Sequence, residues 1–478
     1  MIAPHQILGD ILTKMTNCKI VVVGDIMLDR FIHGNVDRIS PEAPVPVLNF
    51  QGEHNMPGGA ANVARNLAHL GVDVTLIGLV GKDSNSDHLA EAIAEEPAIT
   101  YRPLTLESRM TTVKTRFTAS GQQILRVDEE NNQPVTQAVY QRLLKMVERS
   151  LNKADALILS DYNKGIIDHS TAQAIIALAK EKGIRVIADP KKIDPSVFKG
   201  ASLMTPNLGE FKAMTTLATN TMKDIGFAAK SLVKTNKMDA LLVTLGPDGM
   251  MYVEKNKAPE HISSMAKSVY DVSGAGDTVI AAFTAAITAG ADPVDAMSLA
   301  NTAAGLVIGK SGTATVMPGE ILADTSPRFA HTEKDLLSLV NIWRESGMKI
   351  GFTNGCFDQL HPGHIRVLEK AAATCDRLIV GLNSDGSTRK LKGPGRPLQT
   401  EGRRAAVLAA LPMVDGVVIF NKPTPAQIIK KLTPDVLIKG GDYKADDVVG
   451  AKHVKENGGK VVIVPIRQGF STTRLNQA

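Results

Sequence analysis

Asp271-Val272-Ser273-Gly274-Ala275-Gly276-Asp277-Thr278 runs straight into the apolar Val279-Ile280-Ala281-Ala282-Phe283, and the reading of the first two-thirds of the chain turns on this stretch. A glycine-rich turn that opens into a helix leaves the first-turn N–H groups unpaired, with the positive end of the helix dipole behind them. Such a turn attracts anions. Asp277 does not suit a plain phosphate cradle, because its carboxylate repels phosphate. It suits an acceptor for the proton of an attacking hydroxyl. An ordinary helix start with Asp as its cap explains the same letters, so the rest of the chain has to decide.

Toward the N-terminus, Lys19-Ile20-Val21-Val22-Val23-Gly24-Asp25 predicts a buried parallel strand ended by a turn, with Asp29 and Arg30 in a ligand-side loop beyond it. Pro41, Pro44 and Pro46 predict a small flap or lid sheet over residues 31–50, outside the main sheet, since proline is confined to edges. Met56-Pro57-Gly58-Gly59-Ala60-Ala61-Asn62 predicts a tight turn into a helix that carries Asn62 in its first turns. Strand and helix patterns then alternate: strand 72–80, helix 86–95, β-prone pieces 111–118 and 123–128 that can rejoin the flap, helix 137–151, and strands running into Ser160-Asp161-Tyr162 and Asp189-Pro190-Lys191. Such repetition means a doubly wound α/β sheet. Asn207 and Glu210 follow Thr205-Pro206 and lie three apart on one helical face, which suits hydrated Mg²⁺ and suits a capping box equally well. Thr244, before Leu245-Gly246-Pro247, is a phosphate donor or part of a plain hairpin.

Toward the C-terminus the periodicity is lost between Thr313 and Pro327, and an amphipathic helix over 331–346 precedes a new strand at Lys349. This pattern predicts domains at 1–325 and 348–478 joined by a linker helix at 326–347. In Thr353-Asn354-Gly355-Cys356-Phe357-Asp358-Gln359-Leu360-His361-Pro362-Gly363-His364, two histidines three apart stand where a strand-loop gives way to a helix. Both rings can lie on one face of the first turn, against the positive end of the dipole, a geometry suited to an α-phosphate. A zinc site would need further ligands, for which Cys356 and Asp358 are the candidates, and purely structural histidines are the plain alternative. A second strand ends in Asn383-Ser384-Asp385, a basic glycine loop spans Lys390–Pro397, and Ser471-Thr472-Thr473 stands at a helix start. Several phosphate-friendly elements at strand ends favour the phosphate reading.

Composition narrows the classes further. The 478-residue chain carries a formal charge of +5, but Lys and Arg are scattered and aromatics make up 4 %, so stacking on or tracking along nucleic acid is not expected. Cys18, Cys356 and Cys375 cannot all pair and show no metal spacing, which favours a reducing compartment. No basic-then-apolar leader opens the sequence, and the longest nearly apolar run, Val279 to Ala291, is too short to cross a bilayer. A cytoplasmic enzyme acting on small anions is expected, with no membrane and no nucleic-acid partner.

Gly58-Gly59 with Asn62, Thr205-Pro206-Asn207 with Glu210, Thr244-Leu245-Gly246 and the opening stretch occur in the order and rough spacing of the ribokinase-like carbohydrate kinases, which residues 15–320 therefore resemble. The resemblance implies a mainly parallel sheet with a β lid, ATP and Mg²⁺ as cosubstrates, Asp277 as base on the sugar hydroxyl, and Gly274, Ala275 and Gly276 as the anion hole. It also implies that Asn207, Leu208, Gly209, Glu210, Thr244, Gly246 and Asn301 serve ATP, with Glu210 reaching Mg²⁺ through water. Asp29, Gly58, Gly59 and Asn62 would hold the sugar. Residues 348–478 resemble the HxGH cytidylyltransferase-like nucleotidyltransferases, a Rossmann-like α/β fold. This implies attack of a substrate phosphate on the α-phosphorus of a nucleoside triphosphate. His361 and His364 would stabilise the transferring group, and Thr353, Asn354, Gly355, Phe357, Asp358, Lys392, Lys439, Ser471, Thr472 and Thr473 would bind the nucleotide.

Joined in this order, with Arg38-Ile39-Ser40-Pro41-Glu42-Ala43-Pro44-Val45-Pro46 and Lys439-Gly440-Gly441-Asp442-Tyr443 in place, the halves resemble the bacterial bifunctional heptose-phosphate kinase and adenylyltransferase family. That resemblance implies ATP-dependent phosphorylation of D-glycero-β-D-manno-heptose 7-phosphate at O1. It further implies adenylyl transfer to heptose 1-phosphate, with ADP-heptose feeding lipopolysaccharide core synthesis, and a homodimer paired through its lids. The same folds acting on another sugar or alditol phosphate, with CTP, are the alternative within enzymes. A binding protein built on a decayed kinase is the alternative outside them, and retention of Asp277, His361 and His364 speaks against it.

Overall fold

The computed structural model describes residues 4–119, 122–133, 135–264, 271–310, 312–325, 333–345, 347–441 and 443–465. The chain divides into two compact units, Met1–Ile321 and Leu322–Ala478. No helix among the described residues is long and apolar enough to span a membrane.

In the first unit a nine-stranded sheet runs in the order Glu260–Ile262, Met250–Glu254, Ala240–Thr244, Leu203–Met204, Arg185–Asp189, Ala156–Ser160, Lys19–Gly24, Asp73–Gly81, Ile99–Leu106. The last seven are parallel, and the first two form an antiparallel edge. β-Branched runs such as Ile20-Val21-Val22-Val23, almost without exposure, form strands here because helices cover both faces. The chain winds away in opposite directions from Lys19–Gly24, so a topological switch point opens where that strand ends beside Ala156–Ser160.

A separate four-stranded sheet, in the order Pro46–Gly59, Ile26–Ile39, Thr112–Ala119, Gln122–Glu129, forms the lid. Asp29 and Arg30 therefore lie inside a lid strand and not in a loop. The buried Ile26, Met27 and Leu28 carry the chain directly from the main sheet into the lid. Likewise Met56–Gly59 ends a long strand and does not form a free turn. The edge strand Ile99–Leu106 escapes the sequence reading because Pro103 masks it, although an edge tolerates proline.

The second unit is a five-stranded parallel sheet in the order Gly416–Phe420, Arg377–Asn383, Ile350–Gly355, Val436–Gly440, Lys460–Val464. The helix Glu333–Glu345, expected as a linker, is part of this unit's core. Leu336, Val340 and Trp343 pack with Phe352, Ile379 and Val418 on one face of the sheet. A strong apolar stripe on a helix has to be buried somewhere, and here it closes the adjoining sheet.

Candidate active sites

The first site is built at the switch point. Asp25 follows Gly24 and is buried, and its carboxylate accepts the N–H groups of Tyr162 and Lys164, each at 2.9 Å, and of Ile166 at 3.3 Å. Burial raises its pKa, and those three donors pull it back. The loop after Ala156–Ser160 is thereby tied down, with Tyr162 at its tip.

Opposite stands the helix Ala275–Thr288. Its N-cap is Gly274, at φ 76° in the left-handed region, where only glycine sits without strain. Asp277 is therefore not the cap. Its side chain turns inward, where Asn62 Nδ2 donates to Oδ2 at 2.5 Å and the Tyr162 hydroxyl donates to Oδ1. Full burial of a carboxyl can lift its pKa by about 3–5 units. Asp277 stops at about 6: burial raises it, the Tyr162 and Asn62 donors lower it, and the neighbouring Asp29 charge raises it. Near neutral pH the group is a base able to take a proton.

Asp277 and Gly276 line a small pocket of about 140 Å³ together with Asp161, Asp189, Lys191 and Glu210. Gly276, Asn207 and Thr244 also line an adjoining cavity of about 650 Å³, which Leu208, Gly209, Gly246, Ala275 and Asn301 complete. Asn207 and Glu210 do form the capping box: Asn207 Oδ1 accepts Glu210 N–H, and Glu210 Oε2 accepts Asn207 N–H, both at 3.0 Å. Glu210 Oε1 also meets Lys191 at 2.9 Å. Thr244 ends a strand that turns through Gly246–Asp248 into an antiparallel neighbour, so the hairpin is real and still lines the cavity. Asn301 Nδ2 donates to Ser263 O at 2.7 Å.

On the lid side Asp29 is buried and ion-paired with Arg116. Gly58 faces it so closely that a Cβ there would sit 2.4 Å from Asp29 Oδ2. Gly58→Ala is therefore expected to destabilise the first unit by ~1–3 kcal/mol, the cost of overpacking, read as a lowered denaturant midpoint.

In the second unit the helix Pro362–Ala372 begins at His361, and the His361 and His364 rings stack with centroids 3.8 Å apart. Phe357 packs against His364 at 5.1 Å between ring centroids. Burial lowers the pKa of both imidazoles and the Lys392 charge adds to it; for His364, with His361 also alongside, the result is about 4. Both rings are thus neutral donors near pH 7. Among the described residues no group of three or more His, Cys, Asp or Glu could hold a metal, which disfavours the zinc reading. Lys439 Nζ, its pKa lowered by burial, donates to Asn354 Oδ1 at 3.2 Å where the two central strands end. Asn354, Gly355 and Lys439 line a cavity of about 320 Å³ there.

Three expectations change in this unit. Asp358 is spent on Arg396 and on Leu398 N–H, each at 2.6 Å, with its side chain wholly buried, so it pins the 393–398 loop and does not face a ligand. Thr353 is buried within its strand. Lys390–Lys392 end the helix Asp385–Lys392 and precede the glycine loop. Ser471, Thr472 and Thr473 lie outside the described residues.

Sequence reasoning missed Tyr162 and Asp189 in the first unit and Arg404 in the second. Arg404, fully buried, donates to Cys356 O at 2.5 Å, Asn383 O at 2.9 Å and Asp385 at 2.6 Å, tying the histidine-bearing loop to the next strand end. For Tyr162 and Asp189 the available signal was an acidic or phenolic residue directly after a β-branched run, which reads only as a polar loop.

Residues 17–319 match the pfkB family carbohydrate kinase family, and residues 352–477 match the cytidylyltransferase-like family. Bifunctional protein HldE of Hyphomonas neptunium is 45 % identical over 474 residues, covering 98 % of each chain. The HldE of Paramagnetospirillum magneticum is 44 % identical over 476 residues, 96 % of each. Arabidopsis thaliana ribokinase, solved with ribose and ATP, superposes with a TM-score of 0.52 at 20 % identity over 65 % of this chain and 99 % of its own. Phosphofructokinase-2 of Escherichia coli with fructose-6-phosphate gives 0.54 at 20 %, over 65 % and 98 %. With the two sites in separate units and identity running almost end to end, the chain belongs to the HldE family of bifunctional enzymes, a carbohydrate kinase followed by a nucleotidyltransferase.

Proposed function

We propose that the first unit transfers the γ-phosphoryl group of ATP to O1 of D-glycero-β-D-manno-heptose 7-phosphate, and that the second transfers the adenylyl group of ATP to heptose 1-phosphate, releasing pyrophosphate. The observation that carries the kinase reading is Asp277, held by two donors where a nucleotide-sized cavity meets a small carboxyl-lined pocket. Phosphoryl transfer asks mainly for positioning and charge neutralisation. Asp277 accepts the hydroxyl proton as the bond to phosphorus forms. The N–H groups of Gly274, Ala275 and Gly276 meet the transferring phosphoryl charge, while Asn207, Thr244, Gly246 and Asn301 hold the nucleotide. Asp29, Gly58, Gly59 and Asn62 hold the sugar.

Glu210, which lines the same small pocket as Asp277, fits a hydrated magnesium ion, because Mg²⁺ keeps several waters and needs only one or two protein carboxylates. Bound there, the ion neutralises phosphate charge. In the second unit His361 and His364 donate to the transferring phosphoryl oxygens, and Lys392, Lys439 and Asn354 hold the phosphates. The lid exposes Ile39, Phe50, Ile124, Leu125 and Val127, apolar surface that supports lid-to-lid pairing of two copies. Scattered charge and unpaired cysteines support work in the cytoplasm.

The test is product analysis by mass spectrometry on the purified protein, with heptose 7-phosphate or heptose 1-phosphate and with ATP or CTP. Formation of the 1,7-bisphosphate and of ADP-heptose is expected; CDP-heptose in place of ADP-heptose would refute the choice of nucleotide. The two activities should also part with pH. The Asp277 carboxylate works ionised, so with a pKa of about 6 the kinase kcat at pH 5 falls about tenfold below its plateau. His364 stays neutral down to about 4 and burial also lowers His361 from its ordinary value, so transferase kcat should fall less than kinase kcat over the same interval.

A further inference from the structure

We propose that Tyr162 is a positioning residue for the phosphoryl transfer: its phenol on Oδ1 of Asp277, with Asn62 on Oδ2, fixes the plane of the carboxylate that receives the hydroxyl proton and keeps it charged. The inference rests on the kinase reading given above.

An aspartate carboxylate is bound by a torsion with broad wells, so a single donor leaves it free to turn. Here two donors from distant parts of the chain, 215 and 115 residues away in sequence, hold separate oxygens. Tyr162 itself has little freedom. Asp25 grips the backbone N–H groups of residues 162, 164 and 166, and Arg109 closes the other side through Lys164 O and, at 2.9 Å, Asn131 O.

Burial first, and after it the charge of Asp29, push Asp277 toward its protonated form, so donors to the carboxylate are needed. Asp29 faces it from the lid, Asp161 and Asp189 from the ends of neighbouring strands, and Glu210 from the helix Leu208–Ala213, with Lys191 the cation lining the same pocket. Burial holds Asp189 well above the ordinary carboxylate range, and the like charge felt at Asp277 is that of Asp29, which is paired with Arg116. Asn62 and Tyr162 are the groups that hydrogen-bond to the ionised form. Burial and the Asp277 charge push the Tyr162 phenol well above its ordinary value, so it keeps its proton. In the transfer, the sugar O1 forms a bond to the γ-phosphorus while the bond from that phosphorus to the β,γ-bridging oxygen breaks and ADP leaves. The O1 proton passes to Asp277, and Tyr162 gains and loses none.

The test is Tyr162→Phe in the full chain. Loss of the donor should lower kinase kcat about tenfold and move the acid limb of the kcat–pH profile up by about one unit, the scale of one hydrogen bond to a charged group. KM for the sugar should stay within about twofold, an interaction felt in turnover and not in binding. Pyrophosphate release in the same preparation should be unchanged. An acid limb that stays in place or moves down, or a change confined to KM, overturns the proposal. Should the phenylalanine variant fold poorly, 2,3-difluorotyrosine at 162 keeps the ring and strengthens the donor, and the limb should then move down; a stationary limb overturns the proposal equally. Wild-type protein that makes no ADP with any sugar phosphate refutes the kinase reading itself, a result distinct from either.

Discussion

Asp277→Asn is expected to lower ADP formation from heptose 7-phosphate by about 10³-fold, within the range for loss of a general base, while pyrophosphate release from heptose 1-phosphate stays at the wild-type rate. The substitution keeps volume and shape, so the helix Ala275–Thr288 and its left-handed Gly274 have no reason to move. What disappears is the acceptor. An amide cannot take a proton near neutral pH, and its nitrogen must face either Asn62 Nδ2 or the Tyr162 hydroxyl, both of which now donate. A spectrophotometric ADP assay and a pyrophosphate assay on one preparation check both halves. Kinase activity within tenfold of wild type would remove Asp277 from the chemistry, and loss of both activities in a folded variant would contradict separate sites.

The reverse pattern is expected of His364→Ala: pyrophosphate release falls about 10²–10³-fold, the scale for removing one donor from a developing oxyanion, and ADP formation from heptose 7-phosphate is unchanged. The magnitude follows from the environment. Both rings sit at a helix N-terminus, stacked and held neutral by burial, so they donate without the cost of stripping water from a cation. His361 lies at the N-cap and His364 one turn further in against Phe357, so neither substitutes for the other. Retention of transferase activity in the variant would return the pair to a packing role.

Much of the architecture was open to reading because each decisive signal is local. A β-branched run followed by an acidic turn marks a strand end whatever lies around it, and helix 137–151 was read to the residue. Glycines with their neighbours mark the helix start at Ala275, while the helix expected over 365–374 begins three residues earlier, at Pro362. What stayed hidden depends on who sits opposite. Nothing near Tyr162 in the sequence says that its phenol meets a carboxylate 115 positions later. Asp358 lies inside a motif that suggests ligand contact, yet Arg396, 38 residues on, claims it. The lid strand hid Asp29 for a related reason: only Asp25 separates the main-sheet strand Lys19–Gly24 from the lid strand Ile26–Ile39, so no break in the pattern announces the change of sheet.

The helix Glu333–Glu345 carries a lesson for anyone dividing this gene. A fragment begun at the first strand of the second half, residue 348, would strip Leu336, Val340 and Trp343 from their seat over Phe352 and Val418 and leave a greasy face open to water. A start codon placed ahead of residue 333 keeps that face roofed, so the natural seam lies upstream of the helix.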